Sequence, residues 1–413
     1  GTDVGRGEIV LRAGTALTAR ETGLLAAVGL AEVAVVARPR VAVLSTGDEV
    51  RPPGTALRVG EIHDSNARIL ADAVAEQGGV ALEEGILPDD ADVLAARVRE
   101  LLHRADVVLL SGGTSKGAGD LNYRVVARLA AEIAGSPGIV VHGVALKPGK
   151  PVCLAVLGGT PVVILPGFPT SCVFTFHEFV APLVRRLAGL GAADAALVDA
   201  VAPVRIPSVV GRTQYTLVDL VEAPGGLAAY PLGAGSGSVS AFSRADGFLR
   251  IPHDTEYVPE GARVVVRRIG GARRAPDLVA IGSHCVGLDR LLGVLERRGL
   301  RTKSIAVGSH GGLRALERGE GDVAGVHLLD AASGLYNVPF LPPGTVVLGG
   351  YGRRQGVVFR RGDARFEGAS DAVDAVRRAA GARMVNRNAG SGTRVLIDAL
   401  LRDAGAGRPD GYH

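Results

Sequence analysis

Two hydrophobic periodicities alternate between Arg40 and Gly189. Short, nearly continuous apolar runs predict strands at Val41–Ser45, Leu82–Leu87, Val107–Ser111, Ile139–Leu146, Val152–Val156 and Val162–Leu165. Between them, stretches with apolar residues three and four apart predict helices at Ser65–Gln77, Asp92–Arg104, Leu121–Ala131 and Thr170–Leu187. Runs this uniformly apolar suit strands covered on both faces, so the pattern implies a largely parallel sheet between two helix layers. Upstream, Gly14–Thr18 precedes a predicted helix, and Ala31–Val36 is a predicted strand. From Ala195 to Ile269 the texture changes. Valine-rich runs at Val198–Ile206, Tyr215–Val221, Phe248–Ile251 and Val264–Ile269, broken by proline and glycine, predict a small, mostly antiparallel β domain. Gly270–Pro276 has linker composition, and strand–helix alternation returns from Asp277.

Length and composition bound this picture. A chain of 413 residues holds two to four domains. Hydrophobic residues make up 47%, yet aromatics are only 4% and tryptophan is absent, so alanine, valine and leucine fill the interior. That interior suits close helix-on-sheet layering. No apolar run approaches the ~20 residues that span a bilayer, and no charged-then-apolar leader opens the sequence. A cytoplasmic protein with no membrane association is therefore expected. Cys153, Cys172 and Cys285 show no paired spacing, which argues against a disulfide framework or a thiolate zinc site. The net charge of +4 is scattered along the chain, so no nucleic-acid partner is expected.

Candidate chemistry gathers at predicted strand ends, where ligands of open α/β sheets sit. The small-residue loop Ser111-Gly112-Gly113-Thr114-Ser115-Lys116-Gly117-Ala118-Gly119-Asp120 links a strand to a helix, the arrangement in which backbone amides cradle an anion. Asp120, at its end, is placed to hold a divalent cation against that anion. Ser45-Thr46-Gly47-Asp48-Glu49 supplies hydroxyls and carboxylates after the first strand of this set, and Asp64-Ser65-Asn66 opens the following helix. Asp89 and Asp90 follow the next strand and read either as a helix cap or as part of a cation site. Lys147-Pro148-Gly149-Lys150-Pro151 is a rigid turn that holds two ammonium groups outward, as oxyanion capture requires. Pro166 and Pro169 frame a second such turn, which continues into Ser171. Carboxylates beside phosphates call for a metal between them, and magnesium suits a site with few carboxylates.

In the downstream α/β segment three turns share one grammar, at Gly282-Ser283-His284, Gly308-Ser309-His310 and Gly390-Ser391-Gly392-Thr393. Serine or threonine there is either a plain helix cap or part of a compact oxyanion site. Ser283, Ser309, Ser391 and Thr393 are its candidate residues.

With these motifs in order, residues 1 to 270 resemble the molybdopterin molybdotransferase family, of the MoeA and gephyrin E-domain type. Residues 277 to 413 are similar to the periplasmic-binding-protein-like domain fused to some members, through the GSH, GSHGGL, AGVHLLD and VNRNAGSGTR stretches. The resemblance implies an α/β fold: a three-layer, parallel-sheet molybdopterin-binding domain (40–190), a small β-rich domain (191–271), a linker (272–276) and a C-terminal α/β domain (277–413). Residues 1–39 match the returning segment of the family's N-terminal domain. The chain is expected to be truncated at both ends, without the segment that builds the family's second domain.

The implied activity is transfer of molybdenum from molybdate into adenylylated molybdopterin, assisted by Mg2+ and releasing AMP. By motif, Glu49, Asp89, Asp120 and Lys147 carry over as catalytic positions, with Asp89 and Asp120 as metal ligands. Thr46, Gly47, Asp48, Ser111, Gly112, Gly113, Thr114, Ser115, Lys150, Pro166, Pro169 and Ser171 carry over as substrate contacts. The sequence departs from the family pattern at Gly143, often basic, at Phe168, commonly asparagine, and at Lys116, often valine. Small-molecule substrates and a homodimer of the full-length protein are the implied partners. The alternative reading is a molybdopterin- or molybdate-binding sensor without turnover; adenylyl transfer to molybdopterin is a third.

Overall fold

The computed structural model describes residues 3–112, 121–192, 196–233, 238–269, 274–330, 332–352, 355–379, 382–384 and 392–406. Its first sheet has six strands in the order Val80–Leu87, Arg40–Thr46, Val107–Ser111, Thr160–Leu165, Cys153–Leu157 and Gly138–His142. The first four run parallel, Cys153–Leu157 runs against them, and Gly138–His142 pairs antiparallel with Cys153–Leu157. Alternate residues of each central strand point to opposite helix layers. Ala42, Leu44, Val108 and Leu110 pack with Leu94, Val98, Val125 and Leu129 from helices Ala91–Arg104 and Leu121–Glu132. Val41, Val43, Val107 and Leu109 pack with Leu70, Val74, Phe176 and Val184 on the other face. Both faces are buried, which is why these strands carry no polar alternation in sequence.

The structure corrects four readings of the sequence in the front two-thirds of the chain. Ala31–Val36 is not a strand; Val35 and Val36 lie exposed, and among the described residues no neighbouring strand completes a ladder with them. The predicted strand Ile139–Leu146 stops at His142, because Gly143 adopts φ 82° and turns the backbone out of the sheet. The chain resumes as Leu146–Lys147, paired parallel with Thr213 and Gln214 of the next domain. The single helix expected at Thr170–Leu187 is Pro169–Thr175 and Ala181–Leu187 joined by a π turn at Phe176–Val180. Pro182 has no N–H to donate to the preceding turn, and the wider π turn accommodates that loss. The run Val198–Ile206 is likewise interrupted, giving strands Leu197–Val201 and Ile206–Pro207 around Pro203.

The second domain is a closed barrel. Strands Gly226–Pro231, Leu197–Val201, Arg263–Arg268, Gly247–Ile251 and Thr213–Ala223 follow one another, and the last pairs back onto the first. Closure removes the sheet edges. The barrel is held to the first domain by an aromatic cluster in which Phe174 stacks on Tyr215 with ring centroids 5.1 Å apart, and Phe248 meets both edge-on.

The third unit begins with the parallel strands Leu278–Gly282 and Thr302–Ala306, each followed by a helix, Val286–Arg297 and Gly308–Glu317. Its first layer is packed on the barrel. Ile281, Ile305 and Ala315 share a buried cluster with Val221, Ala228 and Tyr230. Lys303 reaches into the barrel, where Nζ donates to Leu220 O at 2.7 Å, pairs with Asp246 and lies 3.5 Å from Asp219. The Tyr230 hydroxyl bonds Glu320, whose carboxylate also takes Arg318 Nε at 2.7 Å.

Candidate functional site

Because Arg40–Thr46, Val80–Leu87, Val107–Ser111 and Thr160–Leu165 are parallel, the segments that follow them all leave from one edge of the sheet. Cys153 opens an antiparallel strand in register with Ile164, so the Lys147–Pro151 turn before it lies at that same edge. Contacts across the edge are close. A Cβ on Gly112 would lie 2.3 Å from Thr46 O, and one on Gly167 would lie 3.5 Å from the Gly112 Cα. Gly149, at φ 120°, leaves no room for a Cβ against Thr175, and so seats the Lys147–Pro151 turn on helix Pro169–Thr175. Five motifs scattered over 127 residues of sequence thus form one rim.

The acidic end of the rim separates two neighbouring aspartates. Asp90 caps helix Ala91–Arg104, its Oδ1 accepting from Asp92 N at 2.9 Å and Val93 N at 3.0 Å. Asp89 makes no such cap; its own N–H donates to Asp48 Oδ1 at 3.2 Å. Burial, then the charges of Asp48 and Glu49, hold the Asp89 carboxyl above its ordinary value. Replacing Asp90 with alanine should therefore cost about 1 kcal/mol of stability through the lost cap, measurable by urea denaturation, with no change at the Asp89 cluster. A cleft of about 890 Å³ adjoins this end, lined by Gly47, Asp48, Arg51, Asp64, Arg68 and Pro88 among others. Both of its arginines are engaged, Arg51 with Glu61 at 2.8 Å and Arg68 with Asp72. Among the described residues no three His, Cys, Asp or Glu side chains are placed to hold a metal ion. Asp120, Gly113, Thr114 and Ser115 lie outside the described residues.

Lys147 and Lys150 are exposed at the turn, as are Asp48, Glu49 and Asp89. Thr46, Ser111, Pro166 and Ser171 are instead buried and shape the rim from beneath. Two residues outside the sequence-derived site organise them. Asn66, 6% exposed, donates through Nδ2 to Ser111 Oγ at 2.9 Å and to Gly167 O at 2.8 Å. Asn122, fully buried, donates through Nδ2 to Thr46 Oγ1 and to Gly112 O, both at 3.0 Å. The signal was present: an asparagine within the first turns of an otherwise apolar helix face is a costly choice unless its amide is used.

In the third unit, neither Ser283 nor Ser309 caps a helix, contrary to the simpler reading of those turns. The helix N-caps are Cys285 and Val307, and neither makes a side-chain cap bond. The two serine hydroxyls lie 3.3 Å apart instead, and Ser309 Oγ is 3.1 Å from His327 Nδ1. Helix Gly392–Asp403 starts against the same histidine, since a Cβ on Gly392 would lie 2.0 Å from His327 O. Ser283, Ser309 and the helix turn carrying Thr393 are thus brought together around His327. Ser391 lies outside the described residues.

The fold and rim define a layered α/β domain joined to a closed β barrel. Residues 42–186 match the family model described as a probable molybdopterin binding domain, residues 199–268 the MoeA C-terminal region (domain IV), and residues 293–412 the PBP superfamily domain. Through the first two regions the chain is similar to MoeA-type molybdopterin molybdenumtransferases. Molybdopterin molybdenumtransferase 2 of Mycobacterium tuberculosis is 34% identical over 274 residues, which cover 64% of this chain and 65% of the relative. The molybdopterin molybdenumtransferase of Bacillus subtilis is 28% identical over 267 residues, 64% of this chain and 61% of that protein. A crystal structure of the molybdopterin biosynthesis MoeA protein from Pyrococcus horikoshii superposes with a TM-score of 0.53 at 38% identity, covering 63% of this chain and 61% of that one. The chain thus spans less than two thirds of each relative's length. Among the described residues no helix is long and apolar enough to cross a membrane.

Proposed function

We propose that the rim of the front sheet inserts molybdenum from molybdate into adenylylated molybdopterin and releases AMP. The observation that carries this reading is the convergence of Gly112, Gly167, Asp89 and the Lys147–Pro151 turn at a single sheet edge, within a chain whose named relatives are molybdopterin molybdenumtransferases. The glycine loop offers backbone amides to phosphate oxygens. Lys147 and Lys150 supply positive charge to molybdate or phosphate at the same edge. Thr46, Ser111, Pro166, Pro169 and Ser171 set the shape that the substrate meets, with Gly47, Asp48 and the loop residues Gly113, Thr114 and Ser115 completing the contact set.

The reading includes a divalent cation at the acidic end, where among the described residues no three side chains are placed to hold one by themselves. Asp89 sits beside Asp48 and Glu49, and burial first, then their charges, hold its carboxyl above the ordinary value. Asp89 and Asp120 would hold Mg2+, which when bound offsets charge on the adenylate phosphate as AMP departs. Glu49 and Asp48 shape the field around Asp89. The homodimer of the full-length protein belongs to the same proposal, and sedimentation velocity tests it.

The test is release of AMP from adenylylated molybdopterin on addition of molybdate. Turnover with stoichiometric AMP supports transfer, whereas tight binding with no release supports a sensor. Asp89→Asn should lower the rate at least ~30-fold, equivalent to about 2 kcal/mol of barrier. The same change should raise the melting temperature at neutral pH. A carboxyl whose folded pKa is raised loses stability as pH rises through that pKa, so neutralising it removes the loss. A simultaneous fall in stability and rate would point to a structural role.

In the third unit, Ser283, Ser309, Ser391 and Thr393 are proposed to bind a tetrahedral oxyanion, molybdate or tungstate. The paired hydroxyls of Ser283 and Ser309, freed from helix capping, support that reading. Titration calorimetry of the whole chain should give heat with molybdate that Ser309→Ala abolishes. Heat with a pterin and none with molybdate would overturn it.

A further inference from the structure

Two buried carboxamides stand out beneath the rim. Asn122 lies in the first turn of helix Leu121–Glu132 and bonds Gly112 O, so one side chain ties the exit of the glycine loop to its entry. Its second amide hydrogen goes to Thr46, 76 residues away in sequence. Asn66 does the equivalent on the other side of the central strand, joining Ser111 to Gly167. Each asparagine thus spends both donors on two different strand ends, and between them they span all three motifs around the loop. Burying an amide for stability alone is a poor exchange, since each neutral hydrogen bond nets only about 1 kcal/mol. What such a network fixes well is geometry. Among the described residues Asn66 Oδ1 has no partner, and neither does Ser45 Oγ, which lies in register with Ser111. The arrangement is therefore not one that maximises hydrogen bonding.

We propose that Asn66 and Asn122 are positioning residues for phosphate recognition and molybdenum transfer, acting as paired clamps that set the glycine loop against the Thr46 and Gly167 motifs. This deepens the transfer reading and rests on it. Neither asparagine need touch substrate. Their amide hydrogens hold Gly112, where the loop begins, against Thr46, and Ser111 against Gly167. An aspartate of the same shape can accept but not donate, so it leaves Gly112 O or Gly167 O unbonded and releases the loop.

The test compares Asn66→Asp and Asn122→Asp in the full chain with Leu101→Ala. Leu101 is a fully buried leucine in the last turn of helix Ala91–Arg104, away from the rim, and serves as a control of lowered stability. Positioning predicts that kcat for AMP release falls about 100-fold in each asparagine variant, the scale expected of a displacement of about 1 Å. KM should stay within about threefold, and Leu101→Ala should keep the wild-type kcat below its melting point. Asparagine variants that melt early but turn over normally when folded would overturn the proposal. If the wild-type chain releases no AMP, the transfer reading fails and the clamp is judged from binding. Calorimetry with AMP and Mg2+ should then show at least tenfold weaker affinity in both asparagine variants and none of that loss in Leu101→Ala. Equal affinity in all four proteins would sink the clamp independently.

Discussion

Lys303→Ala is expected to cost about 3–5 kcal/mol, because it leaves the buried Asp219 and the half-buried Asp246 without the lysine that pairs with both. Lys303 comes from the third unit, but its ammonium sits inside the barrel, where it also satisfies Leu220 O. Burial pushes Asp219 above the usual carboxylate range, against the opposing pull of Lys303. Ionised Asp219 is thus already disfavoured in the fold, and removing the lysine disfavours it further. The deficit should be largest at pH 8 and should shrink as pH falls toward the carboxylate range, where protonation relieves the unpaired charge. Urea denaturation of the whole chain at pH 8 and pH 5 measures it, and Lys303→Ala combined with Asp246→Asn should recover part of the loss. A pH-independent deficit would mean that Lys303 acts through packing of its stem alone. Since Ser283 and Ser309 stand at the ends of the same strand pair, this interface also fixes where the third unit presents its hydroxyls.

Gly112→Ala should abolish function while leaving most of the fold intact. The new Cβ would lie 2.3 Å from Thr46 O and 3.1 Å from Thr46 Oγ1, and the residue sits at φ 114°, where an L side chain is strained. Backbone strain of this kind costs on the order of 1–3 kcal/mol. The contact with a buried carbonyl adds to it, because Thr46 is part of a central strand and cannot retreat. Relief comes from moving the loop, so AMP release should fall by roughly 10²–10³-fold, the scale seen when a preorganised oxyanion donor is lost. Circular dichroism should report native secondary structure. A variant with full activity would show that Gly112 does not set the loop.

Much of the front fold was legible because its strands are buried on both faces. Val107–Ser111 is an uninterrupted apolar run and appears in the structure with the expected limits. Elements whose fate depended on tertiary partners were not legible. Val35 and Val36 have strand-like side chains but, among the described residues, no neighbouring strand to pair with. Gly226–Pro231 is a strand built largely from alanine and leucine, residues with weak β preference, and only closure of the barrel makes it one. At the site, charged and glycine-rich motifs announced themselves. The division of labour between Asp89 and Asp90 did not, since it depends on which carboxylate meets the helix amides. Asn66 stood within a quoted motif and Asn122 did not, but the roles of both lie in partners 101 and 76 residues distant, which only the fold reveals. In the third unit, serine next to a helix start suggested capping, and the contact between Ser309 and His327 could be seen only in three dimensions.

The most direct measurement is a crystal structure of this chain with AMP and Mg2+. The phosphate is predicted at the entry of the glycine loop beside Gly112, with the metal ion at Asp89. Nucleotide bound instead against Ser283 and Ser309, with the front rim empty, would contradict the account.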